Sequence, residues 1–118
     1  DHYFCLKLKR LGFDIIRVEN AILLHSLGNS IPKSILGQKI TVTNHSPLRR
    51  YYMTRNRLYT WKEFKKDFPE WYKEDLGRFI NETIKIILYE DRKLSKLRSI
   101  MGGVLDYGKK VMGKKENR

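Results

Sequence analysis

Apolar residues recur at two different periods along this chain, and the change of period divides it near residue 45. At the start, Phe4, Cys5, Leu8 and Leu11 fall at helical spacing. Asp1 suits the N-cap of that helix, and Gly12 suits its left-handed C-terminal cap. Phe13 to Val18 and Ala21 to Leu24 are dense in β-formers and predict two strands, with Glu19-Asn20 as the turn between them. Residues 26–37 hold Gly28, Asn29, Ser30, Pro32 and Gly37 and predict a long loop, a common seat of function. Ile40 and Val42 alternate with Thr41 and Thr43, as in a short extended segment.

From residue 46 the period is helical throughout. Ser46-Pro47 is a cap followed by Pro at the first helical position, and the helix it starts ends near Lys66. Asp67-Phe68-Pro69 breaks the pattern. A second helix is predicted over 70–89, with Trp71, Leu76, Phe79, Ile80, Ile84, Ile87 and Leu88 on its apolar side. A last helix is predicted over 92–112, with a weak point at Gly102-Gly103, and the charged tail 113–118 frays. There is no internal repeat, no signal peptide, and no run near the ~20 apolar residues of a membrane span. The chain opens on Asp within a helix cap and reads as a piece of a longer protein. Residues 1–45 are expected to be α/β in character, and residues 46–118 helical.

Composition narrows the partners. With 41% hydrophobic and 32% charged residues the chain can fold around a core, which sets it apart from disordered sequences. Its formal charge of +12 favours anionic partners: nucleic acid, anionic lipid or a phosphorylated small molecule. The lone Cys5 cannot form an intramolecular disulfide, which suits a reducing compartment. Set among Phe4, Leu6 and Leu8, it reads as a buried structural thiol.

Four groups could carry chemistry. The Asp1 carboxylate either caps its helix or takes a proton from an attacking hydroxyl as a general base. His25 ends an apolar run just before Gly28; it is either a core-edge histidine or a ligand for a divalent metal. Arg49, Arg50, Arg55 and Arg57 interleave with Tyr51, Tyr52 and Tyr59. Their guanidinium forks suit phosphate oxygens, in RNA, a nucleoside diphosphate or a membrane, and the bland alternative is a solvated amphipathic face. From residue 91 onward nine Lys/Arg stand against three Asp/Glu. With the interleaved apolar residues, Lys93, Lys96, Arg98, Lys109 and Lys110 suit either an anionic bilayer or packing on the preceding helix. A small basic nucleic-acid-binding module and a membrane-surface domain therefore both stay open as functions.

Taken in order, these segments resemble the C-terminal half of a family 2 glycosyltransferase, in its bacterial rhamnosyltransferase-like branch. Asp1-His2-Tyr3-Phe4-Cys5-Leu6-Lys7 resembles the family's Asp-x-acidic-aromatic-Cys-x-Arg segment, although Tyr3 and Lys7 replace the acidic residue and the Arg. His25-Ser26-Leu27-Gly28-Asn29-Ser30 resembles its His-x-x-Gly-x-Ser segment. Arg50-Tyr51-Tyr52-Met53-Thr54-Arg55-Asn56 resembles its Arg-Tyr-Tyr-x-x-Arg-Asn helix, and Lys93 to Lys114 resembles the branch's C-terminal tail. The resemblance implies a GT-A type, Rossmann-like α/β fold, of which this chain supplies the C-terminal portion: residues 1–45 would be the edge of the catalytic domain, with short strands, and residues 46–118 a helical extension. It implies inverting transfer of a sugar, with rhamnose the expected one, from a nucleotide-sugar donor to a cell-surface polysaccharide or lipid-linked acceptor. Asp1 would be the catalytic base and His25 a ligand of Mg²⁺ or Mn²⁺. Ser30, Arg49, Arg50 and Arg55 would hold phosphate or donor. The implied location is the inner, cytoplasmic face of the cell membrane, with peripheral contact through the basic tail and no nucleic acid among the partners. The family's Asp-x-Asp motif is not in these residues, so the fragment alone is expected to be inactive.

Overall fold

The computed structural model describes residues 2–22, 31–35 and 38–115. Four helices dominate: α1 (His2–Arg10), α2 (Pro47–Phe64), α3 (Pro69–Tyr89) and α4 (Lys93–Gly108). Between α1 and α2 lies a hairpin of β1 (Ile31–Ile35) and β2 (Gln38–Val42), antiparallel, with Ile31 opposite Val42 and Ile35 opposite Gln38.

This overturns the expected α/β, Rossmann-like architecture. The fold is helical, and among the described residues the hairpin is its only sheet. Residues 13–22 form no strand, and Phe13, Ile16, Val18 and Ile22 are exposed. The physical reason is that β-propensity describes a fit to a pleated, half-buried surface. Without a neighbouring ladder to pair its N–H and C=O groups, a β-rich segment stays irregular. The loop expected over 26–37 is also corrected in part, because Ile31–Ile35 is strand β1. The extended segment expected around Ile40 and Val42 lies in β2.

The helices follow from their caps. Ser46 accepts a hydrogen bond from the Arg49 amide at 3.3 Å, and Pro47 follows it, so α2 starts where cap chemistry dictates. Pro69 opens α3 at its first helical position, without a side-chain cap from Phe68. Gly12, with φ of 84°, lies just beyond α1, where a left-handed residue closes a helix.

α2 is the central element. Its Tyr51, Thr54 and Arg55 pack against α4 at Gly102-Gly103. A Cβ on Gly103 would come within 2.7 Å of the Tyr51 carbonyl oxygen and 3.2 Å of the Arg55 nitrogen. The double glycine is therefore a close helix crossing, not the expected weak point, and α4 runs through it unbroken. Past Gly108 the chain turns back over α2: Arg55 Nη1 donates to the Gly113 carbonyl at 2.9 Å, and the Lys115 amide donates to Tyr52 Oη at 2.7 Å. On the other side, Trp61 meets Tyr72 and Phe79 edge-on, with ring centroids 5.5 and 5.7 Å away, and so fixes α3. α1 docks on the end of α2 through Tyr3, edge-on to Phe64 at 5.2 Å, and through Arg10, which covers the Phe64 ring and pairs with Glu63 at 2.9 Å. Cys5 is half-buried with a free thiol.

Candidate functional site

The charges of α2 and its neighbours form a closed set and an open set, which share Arg57 and Asp75. The closed set is a run of alternating signs. Lys96 Nζ lies 2.7 Å from Glu90 Oε2, and Arg50 Nη2 lies 2.6 Å from Glu90 Oε1. Arg50 Nη1 reaches Glu82 Oε2 at 3.3 Å. Arg57 Nη2 meets Glu82 Oε1 at 3.1 Å, and Arg57 Nε meets Asp75 Oδ2 at 3.1 Å. Arg50, Glu90, Lys96 and Asp75 are buried, so each needs its partners to offset lost hydration. Asn44 accepts from Lys96 Nζ at 2.5 Å, and Trp61 Nε1 donates to Asp75 Oδ2 at 2.8 Å.

The open set lines a cavity of about 600 Å³ between the start of α1, one face of α2 and the first turns of α3. His2 and Tyr3 come from α1; Arg49, Tyr52, Met53, Asn56, Arg57 and Thr60 from α2; Trp71 and Asp75 from α3. The α2 contributors recur every three or four residues, which is one face of a helix. Two lining residues carry buried polar atoms without a hydrogen-bond partner among the described residues: Trp71 Nε1 and Asp75 Oδ1. The latter is 3.4 Å from Arg78 Nε, an ion-pair distance without hydrogen-bond geometry. His2 sits with its ring 6.1 Å from that of Trp71. Burial lowers the His2 pKa, against an opposing pull from Asp75, so the neutral imidazole is favoured.

The expected site residues are partly brought together here. Arg49 lines the cavity, is exposed, and has no ion-pair partner among the described residues. Arg50 and Arg55 do not line it; each is only 4% exposed, Arg50 within the alternating run and Arg55 against Tyr51 and the Gly113 carbonyl. Their guanidiniums serve helix packing, which leaves them poorly placed for the phosphate role expected of them. Lys96, expected to face lipid, is instead 1% exposed because it neutralises Glu90. Lys93, Arg98, Lys109 and Lys110 are exposed. Asp1, His25 and Ser30 lie outside the described residues, although Asp1 directly precedes cavity-lining His2 in the chain. Among the described residues no group of three or more His, Cys, Asp or Glu side chains could hold a metal ion. No helix among them is long and apolar enough to cross a membrane.

Trp71, Asp75 and Asn56 were not expected as site residues. Trp71 reads in sequence as one more apolar residue of its helix. The available signal is Asp75, a carboxylate one turn from Trp71 on the same side.

No protein-family model, curated protein or solved structure matches this chain.

Proposed function

We propose that the chain is the acceptor-side part of an inverting, nucleotide-sugar-dependent glycosyltransferase, with rhamnose as the expected sugar. One observation carries this. The start of α1 and the Arg-Tyr-Tyr helix, two segments some fifty residues apart that each resemble the family, converge on one cavity of about 600 Å³. That volume falls within the roughly 300–1,000 Å³ typical of small-molecule sites. In this reading an acceptor hydroxyl occupies the cavity near α1 and Asp1 takes its proton. The hydroxyl oxygen bonds to the anomeric carbon as the bond from that carbon to the diphosphate oxygen breaks, and the electron pair leaves with the nucleoside diphosphate. Arg49 stands at the rim, where a phosphate of the donor or of a lipid-linked acceptor would meet its fork. A divalent cation with His25 as one ligand remains part of this proposal. In the full-length protein, Asp1→Asn is expected to abolish transfer and leave donor binding nearly intact; normal turnover by that variant would remove the base from the mechanism.

The peripheral membrane contact is a second element. Leu94, Met101 and Leu105 are exposed on α4 at helical spacing, with Arg98 and Lys109 on the same stripe. This combination of apolar residues and cations is complementary to anionic headgroups. Flotation with phosphatidylglycerol vesicles but not with phosphatidylcholine vesicles is expected, and Leu94→Glu/Leu105→Glu should abolish it. Failure of the unaltered protein to float would remove the membrane from the proposal. The nucleic-acid alternative is the weaker one, because Arg50, Arg55 and Arg57 are engaged within the fold.

A further inference from the structure

We propose that the cavity beneath α1 is a carbohydrate subsite in which Trp71 and Asp75 read one neutral sugar ring of the acceptor. This rests on the transferase reading above and assigns the deep wall of the same site.

Trp71 and Asp75 line this cavity, and each carries a buried polar atom, the indole Nε1 and Oδ1, without a hydrogen-bond partner among the described residues; Oδ1 keeps only its ion pair with Arg78 Nε at 3.4 Å. A buried polar atom without a partner is costly in a folded protein, and unpaired groups of this kind mark places where a ligand completes the pairing. A hydroxyl both donates and accepts, so vicinal hydroxyls of a pyranose satisfy the two atoms together. Asp75 is preorganised for this. It is 2% exposed, and its other oxygen is fixed by Trp61 Nε1 at 2.8 Å and Arg57 Nε at 3.1 Å. The walls add Tyr3, Tyr52 and the Trp71 ring, aromatic faces that suit the C–H face of a sugar.

The same wall argues against an anion at this depth. Asp75 is a buried carboxylate, and the charge of Arg57 is already met by Asp75 and Glu82. A phosphate placed there would meet the Asp75 carboxylate, which Arg57 and Arg78 already pair with, while Arg49 is the cavity's exposed cation at the rim. The ligand chemistry selected is polyhydroxylated and uncharged.

The test is an NMR titration of the 118-residue chain, following the two tryptophan indole N–H signals. The probes are the methyl glycosides of rhamnose, galactose and N-acetylglucosamine, with inorganic phosphate and dTDP as anionic comparators. At least one glycoside should shift the Trp71 signal with millimolar affinity, the scale for a ligand of this size. The anions should leave it in place. Trp71→Phe keeps an aromatic face but removes the N–H and should weaken binding about tenfold, the loss of one hydrogen bond. Asp75→Asn should weaken it similarly, and if that variant unfolds by circular dichroism then Trp71→Phe alone decides. No response to any glycoside, a response to the anions instead, or unchanged affinity in Trp71→Phe overturns the subsite. Transfer assays on the full-length protein separate the two proposals. Glycoside binding without any nucleotide-sugar turnover rejects the transferase and keeps the subsite. Turnover with an unaltered acceptor KM in Trp71→Phe rejects the subsite and keeps the transferase.

Discussion

The two faces of α2 use similar residues to opposite ends. On the face toward α4, Arg50, Tyr51, Thr54 and Arg55 are buried and their polar groups are largely met: Arg50 by Glu82 and Glu90, Tyr51 by Asp106 at 2.7 Å, Arg55 by the Gly113 carbonyl. On the face toward α1 and α3, Arg49, Tyr52, Asn56 and Arg57 border a cavity whose Trp71 and Asp75 each carry a buried atom without a hydrogen-bond partner among the described residues. An arginine–tyrosine run is therefore no guide to binding by itself. Whether a guanidinium recognises a ligand or braces a helix depends on which carboxylates the fold brings to it.

The sharpest way to break this contrast is at Glu90. Glu90→Ala leaves Arg50 and Lys96 buried without their shared carboxylate, and breaking a buried pair this way costs about 3–5 kcal/mol. Urea unfolding should show that loss. Replacing Arg50, Glu90 and Lys96 together by apolar residues of similar volume should cost much less, because no orphaned charge remains. If Glu90→Ala costs nothing measurable, the closed face is not held by its charges.

Gly103→Ala comes next in size. A methyl group 2.7 Å from the Tyr51 carbonyl forces α4 away from α2, for a destabilisation of roughly 1–3 kcal/mol. Gly108→Ala, where nothing lies within 4 Å of the added carbon, is the matched control. Its effect should be close to neutral or favourable, since Ala is the better helix former. Equal effects at the two positions would mean that the crossing is looser than its geometry.

These tests also mark what the sequence could and could not convey. The caps at Ser46-Pro47 and Pro69 are local chemistry, and α2 and α3 begin where those residues place them. The strands expected at 13–18 and 21–24 depend on a partner surface that propensity cannot supply, and they do not form over 13–22. The Gly102-Gly103 pair is ambiguous in one dimension, being a break without a neighbour and a contact with one. For the site, Arg49 was legible and does line the cavity, whereas His2 and Tyr3 line it without having been expected there and Asp1 lies outside the described residues. Asp75 was not, because its significance lies in the pairing of one oxygen with Trp61 and Arg57 while the other, beside Arg78, has no hydrogen-bond partner among the described residues. That distinction exists only after α2 and α3 pack.

Arg49 sharpens the comparison from the open side. Arg49→Ala removes an exposed cation without a partner among the described residues, so stability should change by no more than ~0.5 kcal/mol. Transfer by the full-length protein should nonetheless fall about tenfold, as for the loss of a charge-assisted hydrogen bond. Arg50→Ala should show the reverse pattern, with a large stability loss. A stability loss in Arg49→Ala as large as in Arg50→Ala would erase the distinction between the faces.

The smallest expected effect is a pH dependence that touches both faces. His2 beside the cavity and His45 near Arg49 and Arg50 have pKa values below the ordinary 6.5, in each case first because burial disfavours the charged ring. In the unfolded chain these imidazoles take up protons near pH 6.5, while in the folded chain they resist until lower pH. The unfolded state then binds more protons in that window, so stability is fully present above about pH 6.5 and declines as pH falls toward the lowered folded values. Urea midpoints at pH 7.5 and 5.5 should differ in that direction, and the double variant His2→Asn/His45→Asn should reduce the difference. Ring-proton NMR titration assigns the contribution of each histidine. If His2 alone titrates at an ordinary pKa, the cavity side admits water freely at that ring; if His45 alone does, the residues before α2 are the looser ones.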